Sequence, residues 1–366
     1  MAPGEEGVIA GRRLLPCGES PAGSSSYMAP RAKACAAIQA DVFFVMAAQP
    51  QFPDEHTAGG EFSRQEDEFR EWVRRDGRSP CPASPGRYHL YISLACPWAC
   101  RTLIVRNLKR LQDAVGVTVV DPMRTDEEGW AFREGPGYSC DPVNGFKFLK
   151  EAYFATDPRF RGRWTVPVLW DKQARRIVNN SEDDICRMLN DEFDVPPGTP
   201  DLFPPGRAAE QDALSQRIYE NVNNGVYRAG FATVQAAYEK AARSVFETLD
   251  ELEVRLGRQR FLLGDQPVET DWRLFCTLVR FDAVYHGHFK CNVRRIVDYP
   301  NLQGYLQDLY CLPGISETVN FDHIKRHYYM THTEINPTRI VPIGPKLDLS
   351  RPPVERIALL TRSTPK

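Results

Sequence analysis

The stretch YHLYISLACPWACRTLIVRNLKRLQDAVGVTVV, residues 88–120, decides the fold. Tyr88-His89-Leu90-Tyr91-Ile92-Ser93 is rich in aromatic and β-branched residues and reads as a strand. After Leu94-Ala95 comes Cys96-Pro97-Trp98-Ala99. Residues 100–111 then set Leu103, Ile104, Leu108 and Leu111 at helical spacing, with Arg101, Arg106, Lys109 and Arg110 elsewhere. A proline just inside a helix start is tolerated, because the first backbone N–H groups have no partner within the helix. Residues 115–120 read as a second strand. Strand, helix, strand is a βαβ unit.

Downstream, residues 121–163 form a Gly- and Pro-rich insert with a helix expected around 146–155. Residues 164–171 read as a strand entered through Val166-Pro167, a turn follows at Gln173-Ala174, and residues 176–178 supply a short partner strand. A helix opens at Ser181 and runs to about Asn190. Ser181 with Asp184 three residues on resembles a capping box. The acids Glu182, Asp183 and Asp184 sit where the helix dipole favours them. The order βαβ, helix, ββα predicts an α/β thioredoxin-like domain over residues 58–195. Pro-Pro-Gly triplets at 196–198 and 204–206 bracket a linker. Beyond it, apolar spacing predicts helices over 208–222, 233–256, 272–285 and 302–309, so residues 205–330 form an all-α domain. Past 331 the chain reads as an extended tail to 366, and residues 1–57 read as a disordered or processed extension. In that extension acidic and basic residues balance, unlike a transit peptide. Met46 begins what reads as an ordinary cytosolic start, leaving residues 1–45 as a weak leader or a gene-model artefact. A cytoplasmic location is expected.

With 366 residues and a formal net charge of -2, the chain lacks the basic excess of a nucleic-acid binder. No apolar run is long enough to span a membrane. Ten cysteines are too few for a disulfide framework at this length, and none sits in a CxxC or a Cys/His ladder with zinc spacing. No metal is expected, and most of the cysteines should be buried thiols.

Cys96 stands apart. It follows a strand and opens a helix, where free N–H groups favour a thiolate and lower its pKa. Arg101, within about two turns, should add positive potential. Cys100, one turn deeper, is expected to pack in the core. Val166-Pro167 is expected to be cis, turning the preceding backbone outward to pair with a peptide-like substrate. Asn180-Ser181-Glu182, at a helix N-terminus, suits a carboxylate.

These features, in this order, resemble the glutathione transferase superfamily, and more closely its Xi class, the glutathionyl-hydroquinone reductases. The resemblance covers about residues 60–350; its most specific blocks are YHLYISLACPWACRTLIVR, GRWTVPVLWDK, NNGVYRAGFA, TLVRFDAVYHGHFKCNVRRIVDYPNL and LPGISETVNFDHIKRHYY followed by INPTRIVPIGP. It implies a thioredoxin-like domain plus an all-helical domain in a homodimer, with glutathione as co-substrate. The implied activity is reduction of glutathionyl-hydroquinones to free hydroquinones and glutathione disulfide. Cys96 would be the nucleophile; Trp130, Val166 with Pro167, and Ser181 with Glu182 would hold glutathione. Tyr227, Tyr285 and Tyr328 lie in blocks similar to the family's substrate-site segments, with Tyr227 and Tyr328 as candidate proton donors. His286 and His288 flank a glycine and belong to the same blocks. The family usually reads Glu-Ser where this chain has Ser181-Glu182, and often has histidine where Cys100 stands. Val268 lacks the hydroxyl cap often found there, an expected cost of about 1 kcal/mol. Two other readings compete: another cysteine-type thiol transferase, such as a dehydroascorbate reductase or deglutathionylase, and a non-catalytic thioredoxin-like binding protein.

Overall fold

Two short strands, β1 (Val73–Arg74) and β2 (Cys81–Pro82), pair in parallel ahead of the main sheet. The computed structural model describes residues 50–351 and Val354; the reading of residues 1–49 as an extension lies outside them, as do Cys17 and Cys35. Next come β3 (Tyr88–Ile92), α1 (Pro97–Leu108) and β4 (Val115–Val119), the expected βαβ unit. Then follow α2 (Lys150–Thr156), β5 (Val168–Asp171), β6 (Arg176–Asn179) and α3 (Glu182–Asp191). The four-stranded sheet has the order β4-β3-β5-β6. β4 runs parallel to β3, β5 antiparallel to it, and β6 antiparallel to β5 with a bulge between Leu169 and Trp170. All five residues of β3 are buried, as befits a central strand covered on both faces. The strand expected from residue 164 begins only at Val168, after a cis Val166-Pro167 bond.

The helical half comprises α4 (Ala208–Ile218), α5 (Gly225–Gly230), α6 (Gln235–Leu256), α7 (Glu269–Arg280), α8 (Pro300–Tyr310) and α9 (Phe321–Thr331). A turn of π-helix, Tyr219–Asn223, joins α4 to α5, and a second, Phe281–Tyr285, extends α7. Such turns re-aim the side chains that follow. α9 is an element the apolar spacing did not single out. The segment 332–351 carries no helix or strand and is strapped to the body: Gln307 donates to the Asp348 carbonyl at 2.9 Å, and Lys325 to that of Ile343 at 3.1 Å.

Residues 50–57 depart from the expected disordered extension. Phe52 packs edge-on to Phe231 at 5.1 Å, His56 bonds the Phe231 carbonyl at 2.8 Å, and Glu55 pairs with Arg163 at 2.9 Å. Composition alone hid an aromatic anchor.

The two halves meet through α1, α3 and α7. Arg101, 1% exposed, donates to Glu269 at 2.7 Å and pairs with Asp183 and Glu182; Arg273 bonds Asp183 at 2.5 Å. Buried charges of this kind hold registry, because losing one partner strands the others without solvent. The missing hydroxyl at Val268 is offset. Asp271 accepts from the N–H groups of Val268 and Leu262, both at 2.8 Å, and from the Tyr305 hydroxyl at 2.9 Å. Asp271→Ala should therefore lose at least about 2 kcal/mol in denaturant unfolding, since it leaves two buried donors unmet.

Candidate active site

Cys96 caps the N-terminus of α1 at 9% exposure, with Sγ 3.6 Å from the Val166 carbonyl. The βαβ geometry puts it at the carboxyl end of β3, where the chain leaves the sheet. Its thiol is pushed up to about 11 by burial, against the N–H groups of Ala99 and Trp98 and the charges of Arg280 and Arg64. This reverses the direction expected from the helix end alone. The helical half covers the sulfur, and desolvation of a thiolate outweighs the helix N-terminus. Arg101 is also not where its spacing suggested: it is spent on the acids at the domain interface.

Arg280 takes the place expected of Arg101. It is wholly buried and donates to the carbonyls of Leu94 and Ala95, both at 2.9 Å, and of Cys276 at 2.7 Å. Cys100 is core, as expected, with Sγ 3.4 Å from the Thr318 carbonyl. A hydrogen bond from Cys276, together with Arg280, draws the Cys100 thiol down, while burial and Cys100 itself hold Cys276 well up.

Two cavities adjoin beside Cys96, which lines the first and bonds the carbonyl of Val166, a residue on the wall of both. The first holds about 660 Å³ of open space and is lined by Cys96, Trp98, Trp130, Tyr227, His327 and Tyr328, among others. Tyr227 and Tyr328 join their hydroxyls at 2.5 Å, and Tyr285 reaches Tyr328 from behind at 2.9 Å. Tyr285 itself is fully buried, stacked on Phe289, and lines neither cavity, contrary to its expected role as a contact. The π-turn of residues 281–285 sets it one layer back.

The second cavity, about 960 Å³ of open space, shares Arg64, Trp98, Arg163, Thr165 and Val166 with the first. Its far wall carries Asp67 and Glu182. Burial first, and then the neighbouring Glu182, push the Asp67 carboxyl up to about 7. Burial and Asp183 raise Glu182 against the pull of Arg101. Two such carboxyls suit an ammonium group. Ser181 is buried at the N-terminus of α3, makes no side-chain cap bond and lines neither cavity. The expected capping box is therefore not formed. Pro167 holds the cis bond without lining either space.

Sequence reasoning missed Arg64, Asp67, Arg163 and His327. Arg64 lies over the faces of Trp98 and Tyr227, at 4.9 and 4.8 Å, and its Nη2 is buried without a partner among the described residues. That orphan donor beside both cavities fits an anionic ligand group. Among the described residues no cluster of His, Cys, Asp or Glu is placed to hold a metal ion; His288 bonds His332 at 3.2 Å.

Residues 95–192 match the glutathione S-transferase N-terminal domain and residues 235–308 the C-terminal domain. The glutathionyl-hydroquinone reductase YqjG of Escherichia coli is 50% identical over 308 residues, covering 82% of this chain and 93% of its own length. The chain belongs to the glutathionyl-hydroquinone reductases, the Xi class of glutathione transferases. A second reductase of this family, PcpF of Sphingobium chlorophenolicum, is 47% identical across 80% of this chain and 92% of its own. The Xi-class structure from Phanerochaete chrysosporium superposes with a TM-score of 0.75 at 49% identity, covering 78% of this chain and 97% of that one. The glutathione-bound structure of YqjG gives 0.75 at 50% identity, over 78% and 95%. No helix among the described residues is long and apolar enough to cross a membrane.

Proposed function

We propose that Cys96 carries out the family's reaction, with glutathione in the second cavity and the hydroquinone ring in the first. The observation that supports this most is that Cys96 lines the aromatic cavity while its Sγ lies 3.6 Å from the carbonyl of Val166, which also walls the polar, doubly acidic one. Asp67 and Glu182 would hold the ammonium of the γ-glutamyl residue, Val166 the cysteinyl backbone, and Arg64 or Arg163 a carboxylate. Trp130, expected to hold glutathione, lines only the first cavity and would face the ring instead.

In the first step the Cys96 thiolate attacks the sulfur of the glutathionyl-hydroquinone. The carbon–sulfur bond breaks, its electron pair goes to the ring carbon, and a proton from Tyr227 or Tyr328 completes the free hydroquinone. A second glutathione thiolate then attacks the Cys96–glutathione disulfide, releasing glutathione disulfide and the Cys96 thiolate. Electrons balance: the thioether sulfur and one glutathione thiol become a disulfide, and the ring carbon exchanges its bond to sulfur for one to hydrogen. The chain would act as a homodimer, as the family resemblance implies, and in the cytoplasm, as expected from its sequence.

The test is turnover of a glutathionyl-hydroquinone with excess glutathione, scored by free hydroquinone and glutathione disulfide in equal amounts. Mass analysis of the protein treated with glutathione disulfide should place the adduct on the Cys96 peptide. An adduct confined to other cysteines sinks the reading. Tyr328→Phe should lower kcat by about 10²-fold, the usual worth of a positioned proton donor, and leave adduct formation intact.

A further inference from the structure

His327 stands on the wall of the aromatic cavity and has no part in the chemistry so far. Its ring lies flat against Trp130, with centroids 4.9 Å apart and planes at 21°, and edge-on to Tyr328 at 5.3 Å. Nδ1 is 2.8 Å from the Pro122 carbonyl. A carbonyl oxygen can only accept, so Nδ1 carries the proton and Nε2 is left with its lone pair. Nε2 has no hydrogen-bond partner among the described residues. The ring is held neutral: burial, opposed by the Pro122 bond, takes it down to about 4, with Arg124 and Arg280 acting in the same direction as burial. At physiological pH Nε2 is therefore an acceptor and not a donor.

The cavity thus combines two complementary polar groups. The linked tyrosine hydroxyls can donate to a ring oxygen. His327 can accept from one. A hydroquinone carries two oxygens, each with its own proton, and matches both. Arg64, Arg124 and Arg163, the charged groups on the same cavity, are donors only and cannot take a hydroxyl proton.

We propose that His327 Nε2 is the acceptor by which this site requires a free ring hydroxyl, selecting hydroquinone thioethers over their O-alkylated counterparts. The inference rests on the hydroquinone reading of the first cavity. An ether in place of that hydroxyl sets oxygen lone pairs against the nitrogen lone pair. It leaves a buried acceptor unmet, the arrangement that gives strong discrimination in polar sites.

The probes are glutathionyl-benzohydroquinone and its two monomethyl ethers, with glutathione disulfide exchange at Cys96 as a reaction that needs no ring. Wild type should process one of the two ethers at least about 10²-fold less well in kcat/KM than the parent. His327→Phe keeps the stack on Trp130 and removes the acceptor. The parent should then fall to the level of that ether, the ether should barely change, and disulfide exchange should stay within about threefold. His327→Gln, which restores an acceptor oxygen, should regain part of the preference; if the phenylalanine variant does not fold, His327→Leu, which also lacks an acceptor, is scored by the same criteria. Equal losses on parent and ether, or an unchanged preference, overturn the proposal. A wild-type enzyme inactive on the parent thioether removes the functional reading, and this inference with it. An active wild type whose preference survives His327→Phe removes the inference alone.

Discussion

Cys96→Ala should abolish turnover of glutathionyl-hydroquinones, by at least about 10⁴-fold, because removal of a covalent nucleophile leaves only binding and electrostatics. The loss should fall on chemistry and not on the fold. The side chain is small and already borders a cavity, so its loss should cost only about 1 kcal/mol in unfolding experiments. Activity within tenfold of wild type would refute the mechanism. The same sulfur has a pH signature. Burial holds its thiol up to about 11 in the ligand-free protein. The thiolate is the reactive form, and its fraction grows about tenfold per pH unit below that value. Alkylation of Cys96 without glutathione should therefore be slow at pH 7 and climb steadily toward pH 10. A rate already level by pH 8 would mean that the helix N-terminus, with Arg64 and Arg280, outweighs desolvation.

That conflict marks how far the sequence could be read. The βαβ unit was legible because strand and helix periods change abruptly around Leu94-Ala95, and Pro97 fixes the helix start. The cysteine's place at a helix end followed directly. Its charge state did not. The thiol's solvation depends on Tyr227 and Arg280, brought near only by the closure of the helical half, and on Arg64 from the segment ahead of β1, all far from it along the chain. Arg101 misled for the same reason: sequence proximity suggested a role at Cys96, whereas Glu269 and Asp183 claim its guanidinium. Arg64 and Asp67 sit in a polar stretch without periodicity, so no local signal distinguishes them from surface. α9 escaped because its sequence, FDHIKRHYYMT, buries histidine and tyrosine where apolar spacing looks for leucine. Tyr285 and Tyr328 were both found through the family blocks. Only the π-turn reveals that one lines the cavity and the other braces it.

The larger stability effect belongs to Arg280, at the C-terminal end of α7, a residue that periodicity gives no reason to single out. Its guanidinium ties the last turn of that helix to Leu94 and Ala95, the two residues immediately before Cys96. A cation at a helix C-terminus is favoured by the dipole, and here its planar fork also meets three carbonyls at once. Arg280→Met fills most of the volume but strands those three acceptors away from water. The expected loss is about 3–5 kcal/mol in denaturant unfolding, the range for breaking a buried, hydrogen-bonded charge. It should also act on catalysis. The Leu94-Ala95 turn sets the height of Cys96 above the sheet, and a misplacement of about 1 Å at a reacting atom costs about 10²-fold in kcat. Arg280→Lys keeps the charge without the fork, so it should recover part of the stability and little of the rate. A methionine variant within about 1 kcal/mol of wild type, with unchanged kcat, would show that the strand–cysteine turn holds its shape without the helical half.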